Sequence, residues 1–455
     1  MQTRSSWLLP IALGLACGPG SAAEATATAT ASSTSEPASS TTSGDATTAN
    51  PTTTPPTTTT PSTPTTVEPT TLDPTTLDPT TLDPTTTTAP TTLATSTGDT
   101  EFSTSDTSTG EPLQMLTPLA LEVADFDGDG TQDLLVMGLD ETAAVAGRLS
   151  RGHGDGSFAA AIDAEITGNS AFPVIGRLDG EGGTDVLVAS DVDQIAVFHW
   201  TGAAFAPWMT FTTDLAPLTH AIADADSDGD DDIAWLWFKA PNFGVSLRRN
   251  TGGGFLDPVD TPLGDQAQLG IAPGSLVVGR LDGDAVADAL IFEPDQPKGL
   301  LRLLGAANGG FGKPAAVLPA VRPWVCALGD FNEDGARDLL LVERTPAHLL
   351  LATGDGKGGF AVATTVAVPG PFLPFTIAVA DLDGDEHLDV VVVDDKSAEL
   401  RIWSGDGDGD LSPRNPIPLP SPALRAHAAA FDAGPLLDLA VATFAAGDVT
   451  VLLDP

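Results

Sequence analysis

The chain has 455 residues, with 62 acidic against 19 basic side chains and a formal net charge of −43. A field of that sign repels nucleic acid and anionic lipid heads, and disfavours acidic polysaccharides except through bound cations. Cys17 and Cys326 are the only cysteines, which excludes a disulfide framework as the source of stability.

Residues 1–23 carry Arg4, an apolar run from Trp7 to Cys17 and the small residues Ser21-Ala22-Ala23. This is the pattern of a secretory signal, too short for a transmembrane helix, and it implies an exported protein. Leu13-Gly-Leu-Ala-Cys17 approximates a bacterial lipobox, which would put a lipid anchor on Cys17 at the cell surface. Cleavage after Ala23 is the competing route and would release the protein outside the cell. Residues 24–110 are dominated by Thr, Ser, Pro and Ala, include tandem PTTLD pentads over Pro69–Asp83, and contain no Lys or Arg. Such a segment cannot bury enough apolar surface to offset its ordering entropy, so it reads as a disordered, solvated stalk open to O-glycosylation. No later segment reaches 18 unbroken apolar residues, so no transmembrane span is expected.

Residues 111–455 repeat one acidic pattern. Asp or Asn stands at loop positions 1, 3 and 5, and Asp at position 9. The four full loops are Asp125, Asp127, Asp129 and Asp133; Asp224, Asp226, Asp228 and Asp232; Asp330, Asn332, Asp334 and Asp338; and Asp381, Asp383, Asp385 and Asp389. Oxygens at these places, with a backbone carbonyl near position 7 (Thr131, Asp230, Ala336, His387), are what a hard cation such as Ca²⁺ demands. Carboxylates so crowded repel one another, and a divalent ion is the simplest compensation, so four Ca²⁺ are expected. An EF-hand is excluded, because position 12 is Val136 or Val392 within a short apolar run rather than Glu before a helix.

Three further segments keep the register with damaged loops. The ninth-position Asp recurs at 133, 185, 232, 288, 338, 389 and 438, spacings of 52, 47, 56, 50, 51 and 49 residues. In the second and fourth loops Arg177 and Arg280 occupy position 1 and oppose a cation. Each would either bridge the carboxylates of its own loop (Asp179, Glu181 and Asp185, or Asp282, Asp284 and Asp288) or point to solvent. The seventh loop, with Ala430 and Gly434 at positions 1 and 5, has too few oxygens. In the sixth, Glu386 stands where Gly is expected and would be strained if that position needs a positive φ.

Each loop precedes a run such as LLVMG or VVVVD that reads as a buried strand, and each is preceded by another strand. The residue at position 2 (Phe126, Leu178, Ala225, Leu281, Phe331, Leu382, Phe431) is apolar and can enter a core while the ligands face the ion. A Gly-rich turn follows in most units, closed by Phe158, Phe255, Phe311 or Phe360. Four antiparallel strands per unit, repeated at this period, predict an all-β fold, a propeller of seven four-stranded blades. The D-x-D-G-D-G-x-x-D loop after a strand, paired with the downstream G-x-G-x-F hairpin, resembles the FG-GAP/VCBS repeat of integrin-α-like β-propellers. That resemblance implies Ca²⁺ in the loops and a role in binding or adhesion, with occasional enzymes.

No catalytic motif stands out: His153, His199, His220, His348, His387 and His427 are scattered, and no nucleophile elbow or phosphate loop occurs. The favoured reading is a monomeric module binding a protein or glycan at a cell surface. A propeller enzyme acting on polysaccharide, or a structural envelope component, are the alternatives. Trp200, Trp208, Trp235, Trp237, Trp324 and Trp403 read as core or, in part, as ligand platforms. Asp406-Gly-Asp408-Gly-Asp410 reads as a plain turn or a further ion site. The chain stops before the outermost strand of the last blade, so Pro112–Leu116 is expected to pair near Val449–Leu453 and close the ring.

Overall fold

Seven antiparallel sheets hold the strands, and the second strand of every sheet begins at the ninth-position Asp. A computed structural model of the chain describes residues 100–101 and 116–455, apart from 141, 143, 169–171, 192, 214–215, 371, 395 and 444–448. Blade 1 comprises Thr117–Ala124, Asp133–Leu139, Val145–Ser150 and Ile162–Asp163. Blades 2 to 6 repeat the order, with second strands at Asp185–Asp191, Asp232–Lys239, Asp288–Phe292, Asp338–Arg344 and Asp389–Asp394. Blade 7 contributes Ala423–Ala429, Asp438–Thr443 and Val449–Leu452. The seven-bladed propeller is the fold that the repeat predicts.

First strands of neighbouring blades pack on one another at five of the seven seams, blade 1 on blade 7 included, which places them inside the ring and the fourth strands at its rim. The core is divided into seven wedges, one per seam. Phe126, Leu135, Phe198 and Phe205 fill the wedge between blades 1 and 2. Leu340, Val342, Val390 and Val392 fill that between blades 5 and 6. A second strand therefore packs on both faces, which is why these strands read as unbroken apolar runs. Each fully buried Val, Leu or Phe contributes roughly 1.5–3 kcal/mol. The position 2 residues lie in these wedges, with Phe126, Leu178 and Leu382 fully buried.

Two irregularities have local causes. The 56-residue spacing between blades 3 and 4 holds a helical turn, Gln266–Leu269, capped by a box of Asp265 and Gln268. In blade 6 the outer strand is broken into Leu411–Pro413 and Ile417–Pro418, because prolines remove ladder donors.

Ring closure differs from expectation in the segment used. Thr100–Glu101 is the outermost strand of blade 7, pairing Thr100 with Val451 and Glu101 with Thr450. Of Pro112–Leu116, residues 112–115 lie outside the described residues and Leu116 belongs to no strand. An outermost strand pairs through its backbone and needs no apolar run, so hydrophobic patterning does not reveal it.

Candidate metal centres

Every acidic loop joins the first strand of a blade to the second, and the ninth-position Asp clamps it. In blade 1 Asp133 Oδ2 accepts the Phe126 N–H at 2.9 Å, while Oδ1 accepts the Gly152 N–H from the third-to-fourth-strand turn, also at 2.9 Å. The first bond recurs in all seven blades, from Leu178 to Asp185, Ala225 to Asp232, Leu281 to Asp288, Phe331 to Asp338, Leu382 to Asp389 and Phe431 to Asp438. The second recurs in blades 3 to 7, from Asn250, Gly305, Gly354, Gly405 and Asp454. The clamp therefore persists where the other ligands are lost. Burial pushes these carboxyls up, Asp133 and Asp185 to about 6 and Asp232 to about 7.

The four full loops share a ligand pattern yet differ in how their oxygens are held. Ligand oxygens come within 4.8 Å of one another in three groups: Asp125, Asp127 and Asp133; Asp224, Asp226 and Asp232; Asp381, Asp383 and Asp385. In blade 1 the Asp125 carboxylate accepts N–H groups of Gly128 (2.7 Å), Asp129 (3.1 Å) and Gly130 (2.9 Å). Asp330 in blade 5 accepts from Asp334 and Gly335, and Asp381 in blade 6 from Gly384 and Glu386. Asn332 donates to Asp334 at 3.1 Å. Blade 3 is different: Asp224 Oδ1 and Asp226 Oδ1 are buried and have no hydrogen-bond partner. Its position 4 is Ser227, at φ +64°, where blades 1 and 6 have Gly128 and Gly384. Ser227 is tied outward, donating to Ala285 O of blade 4 and accepting from Arg280.

Position 7 residues shape the loops through their backbone. The N–H groups of Thr131, Asp230, Ala336 and His387 donate to Asp129, Asp228, Asp334 and Asp385 at 2.8–3.0 Å. Glu386 adopts φ +71°, as the glycine expectation implied.

Neither arginine at position 1 bridges its own loop. Arg280 donates to Ser227 Oγ across the seam at 2.9 Å. Arg177 contributes its backbone N–H to Asp231 of blade 3 at 2.7 Å, with its side chain exposed. The position 3 carboxylate of blade 2, Asp179, is instead paired with His199 at 3.1 Å. Arg280 can reach the neighbouring loop because successive loops abut. Thr184 N–H donates to Asp125 O, Ala287 N–H to Ala225 O, and His387 contacts Glu333 of the preceding blade at 2.5 Å.

Sequence reasoning missed Arg151 and Arg249, which lie 3.4 Å from Asp127 and 3.3 Å from Asp226. Each directly precedes the residue that donates to the ninth-position Asp, and that shared place was the available signal. Trp235, Trp237 and Trp403 are buried in the core, while Trp200, Trp208 and Trp324 are half-buried. In the turn at 406–410, Asp406 accepts the N–H groups of Asp408 and Asp410, the bonding of a plain turn.

The profile of the FG-GAP-like repeat matches residues 330–392 and 381–434, so the chain carries FG-GAP-like repeats. No curated protein matches the sequence. Among solved structures, an N-acetylglucosamine-recognising lectin of Agrocybe aegerita is similar at 20% identity, with a TM-score of 0.50 over 67% of this chain and 81% of the lectin. A periplasmic gluconolactonase of Pseudomonas aeruginosa has 15% identity and a TM-score of 0.48 over 76% of this chain and 91% of its own. A rhamnogalacturonan lyase of Bacillus licheniformis has 12% identity and a TM-score of 0.46, over 74% and 72%. At such identities the likeness is one of fold alone. Among the described residues no helix is long and apolar enough to cross a membrane.

Proposed function

We propose that this chain is an exported, calcium-binding β-propeller that acts in recognition or adhesion at a cell surface, with a protein or glycan as partner. The observation that carries the metal reading is the loop of blade 3, where two buried carboxylate oxygens lack any donor within a tight group of three carboxylates. A buried carboxylate oxygen without a donor is costly, and Arg249 reaches only the other oxygen of Asp226. The donors are all hard oxygens, which suits Ca²⁺ rather than a thiophilic or imidazole-seeking metal. Ca²⁺ would be held by the loops of blades 1, 3, 5 and 6, and would supply the positive charge that lets their carboxylates share one space. Recognition fits a rigid ring that takes in Thr100–Glu101 and is carried on the preceding Thr/Ser/Pro-rich residues as a stalk, behind a signal at 1–23 whose Cys17 offers a lipid anchor.

Calorimetric titration of the metal-stripped mature chain should give four ions. Anomalous scattering showing an ion beside Arg177 or Arg280 would overturn the assignment. A glycan and protein-surface binding screen, run with Ca²⁺ and with chelator, should find a Ca²⁺-dependent partner. Turnover of a polysaccharide by the same preparation, abolished by a single carboxylate change, would replace recognition with catalysis. Mass spectrometry decides the anchor: a lipidated Cys17 supports it, and a mature N-terminus at Glu24 refutes it.

A further inference from the structure

One end of each blade carries the acidic loop between first and second strands. The other end holds the turn from second to third strand and the start of the first strand. At that other end the seam between blades 4 and 5 stands out, as one of the two whose first strands do not pack closely on one another. Four buried side-chain atoms without a hydrogen-bond partner belong to it: Ser275 Oγ, Asp295 Oδ1, Arg322 Nε and Trp324 Nε1. Ser275 opens the first strand of blade 4 and shares a face with Val277, which lies in the wedge between these blades. Asp295 sits in the turn after Asp288–Phe292, and Arg322 and Trp324 flank Pro323, where the first strand of blade 5 begins.

The backbone around these atoms is already engaged. Asp295 N–H donates to Pro323 O at 2.8 Å, Gly299 N–H to Val321 O at 3.1 Å, and Arg322 N–H to Glu343 Oε1 at 2.5 Å. Arg322 Nη2 donates to Asp295 O at 3.2 Å. An added peptide strand would therefore find its pairing groups taken, and side chains are what the seam offers. They supply two N–H donors on Arg322 and Trp324, a carboxylate acceptor on Asp295, and the Ser275 hydroxyl, which does either. Charge is balanced locally, Glu293, Asp295 and Glu343 against Lys298, Arg322 and Arg344, although the chain as a whole is strongly acidic. An anionic ligand would face Asp295, and an ammonium would leave the two N–H donors unmet. Adjacent hydroxyls of a neutral sugar both donate and accept, and so meet the whole set. Arg344 covers the Trp324 ring at 4.0 Å, so the indole offers its edge N–H and not its face.

We propose that this end of the blade 4–blade 5 seam is a sugar-binding subsite, in which neighbouring hydroxyls of a neutral glycan residue bond Asp295, Arg322, Ser275 and the Trp324 N–H. The inference rests on the reading of this chain as a recognition module and takes glycan as the partner. The four atoms are shielded from solvent in the free chain, while Asp295, Arg322 and Trp324 are themselves half-buried. Among the described residues the Arg322 guanidinium is held by its single bond to Asp295 O, so it is the group that swings aside to admit the sugar. Each unpaired atom is a cost that the bound hydroxyls relieve.

The mature chain in Ca²⁺ is titrated with the methyl glycosides of glucose, galactose, mannose and N-acetylglucosamine, followed by calorimetry and by the indole N–H signals in ¹H–¹⁵N spectra. At least one of these sugars should bind and move the Trp324 signal, identified as the one missing from Trp324→Phe. Ser275→Ala removes a hydroxyl that is 1% exposed and unpaired in the free chain. It should leave the melting temperature unchanged or higher, yet weaken the sugar roughly tenfold. Arg322→Met keeps the length of the side chain and should weaken it at least as much. Sugar binding that survives both changes overturns the subsite and leaves recognition standing elsewhere on the ring. A Ser275→Ala chain that melts lower also overturns it, because the hydroxyl is then bonded to internal water and not awaiting a ligand. So does a wild-type chain that binds none of the four sugars, whereas recognition itself fails only if the glycan and protein-surface screen is empty as well.

Discussion

The loops of blades 1 and 3 carry the same ligand pattern and hold it in different ways. Asp125 is surrounded by three loop N–H groups, so its carboxylate is compensated by the backbone alone. Asp224 has no such ring, because Ser227 is tied to blade 4 and the adjoining oxygens of Asp224 and Asp226 are left without donors. Equal motifs therefore do not mean equal need for a cation. Blade 1 can hold its loop shape through hydrogen bonds, whereas blade 3 stores charge repulsion that an ion would relieve. Blades 2, 4 and 7 complete the contrast: ligands have gone, yet the ninth-position Asp remains because it clamps two chain segments.

The largest expected effect tests that last point. Asp438→Ala removes the acceptor of two N–H groups, from Phe431 and Asp454, in a blade expected to bind no ion. Each orphaned group costs about 1–3 kcal/mol, so thermal or denaturant unfolding should show a loss of about 2–6 kcal/mol, the same with and without Ca²⁺. A loss seen only in Ca²⁺ would mean that the residue is a ligand rather than a clamp.

Next in size, taken per site, is the ion itself. Ligand binding to the folded state alone adds ~2.7 kcal/mol per site at a hundredfold excess over Kd. Chelation should therefore lower the melting temperature markedly, and the blade 3 site should dominate. Asp224→Asn sharpens the comparison through its sign. In chelator it removes a repelling buried charge and should stabilise by about 1 kcal/mol, whereas in Ca²⁺ it should destabilise. Asp125→Asn should destabilise in both conditions, since its amide cannot accept the N–H groups now aimed at both oxygens. Scanning calorimetry of both variants in both buffers checks this, and identical signs would erase the distinction between the loops.

A smaller effect concerns pH. Asp133, Asp185 and Asp232 have folded values raised to about 6, 6 and 7 by burial. A raised carboxyl contributes stability that is fully present below its unfolded value, ~4, and is lost as pH rises through the folded value. The metal-stripped protein should therefore melt at progressively lower temperature from pH 5 to pH 8. Saturating Ca²⁺, which competes with protons for Asp133 and Asp232, should flatten or reverse that trend. The smallest prediction is Glu386→Gly, which relieves a non-glycine residue at φ +71° and should raise stability by about 1 kcal/mol in a denaturant titration.

Most of the architecture was legible because it is local. The count of blades, the loops between first and second strands, and the burial of Phe126 and Leu382 follow from spacing and side-chain alternation along a short stretch of chain. The Gly-rich turn returning to the sheet was equally readable, as in the bridge between Gly152 and Phe158. The Arg280 contact was not, because spacing within one loop says nothing of which neighbouring loop lies nearer. Nor was the outer strand Thr100–Glu101, whose bonds are made by backbone.

The sequence by itself determined the ring of seven acidic blades, since ligand spacing and strand period are properties of consecutive residues. Only the tertiary structure decided which carboxylates are compensated, because Ser227, whose φ is close to those of Gly128, Glu333 and Gly384, is held by hydrogen bonds to blade 4. It likewise decided that Glu122 meets Arg425, 303 residues away, through closure of the ring. A hydrogen bond or ion pair is set by position in space, and the propeller brings together at each seam residues that the chain order keeps apart.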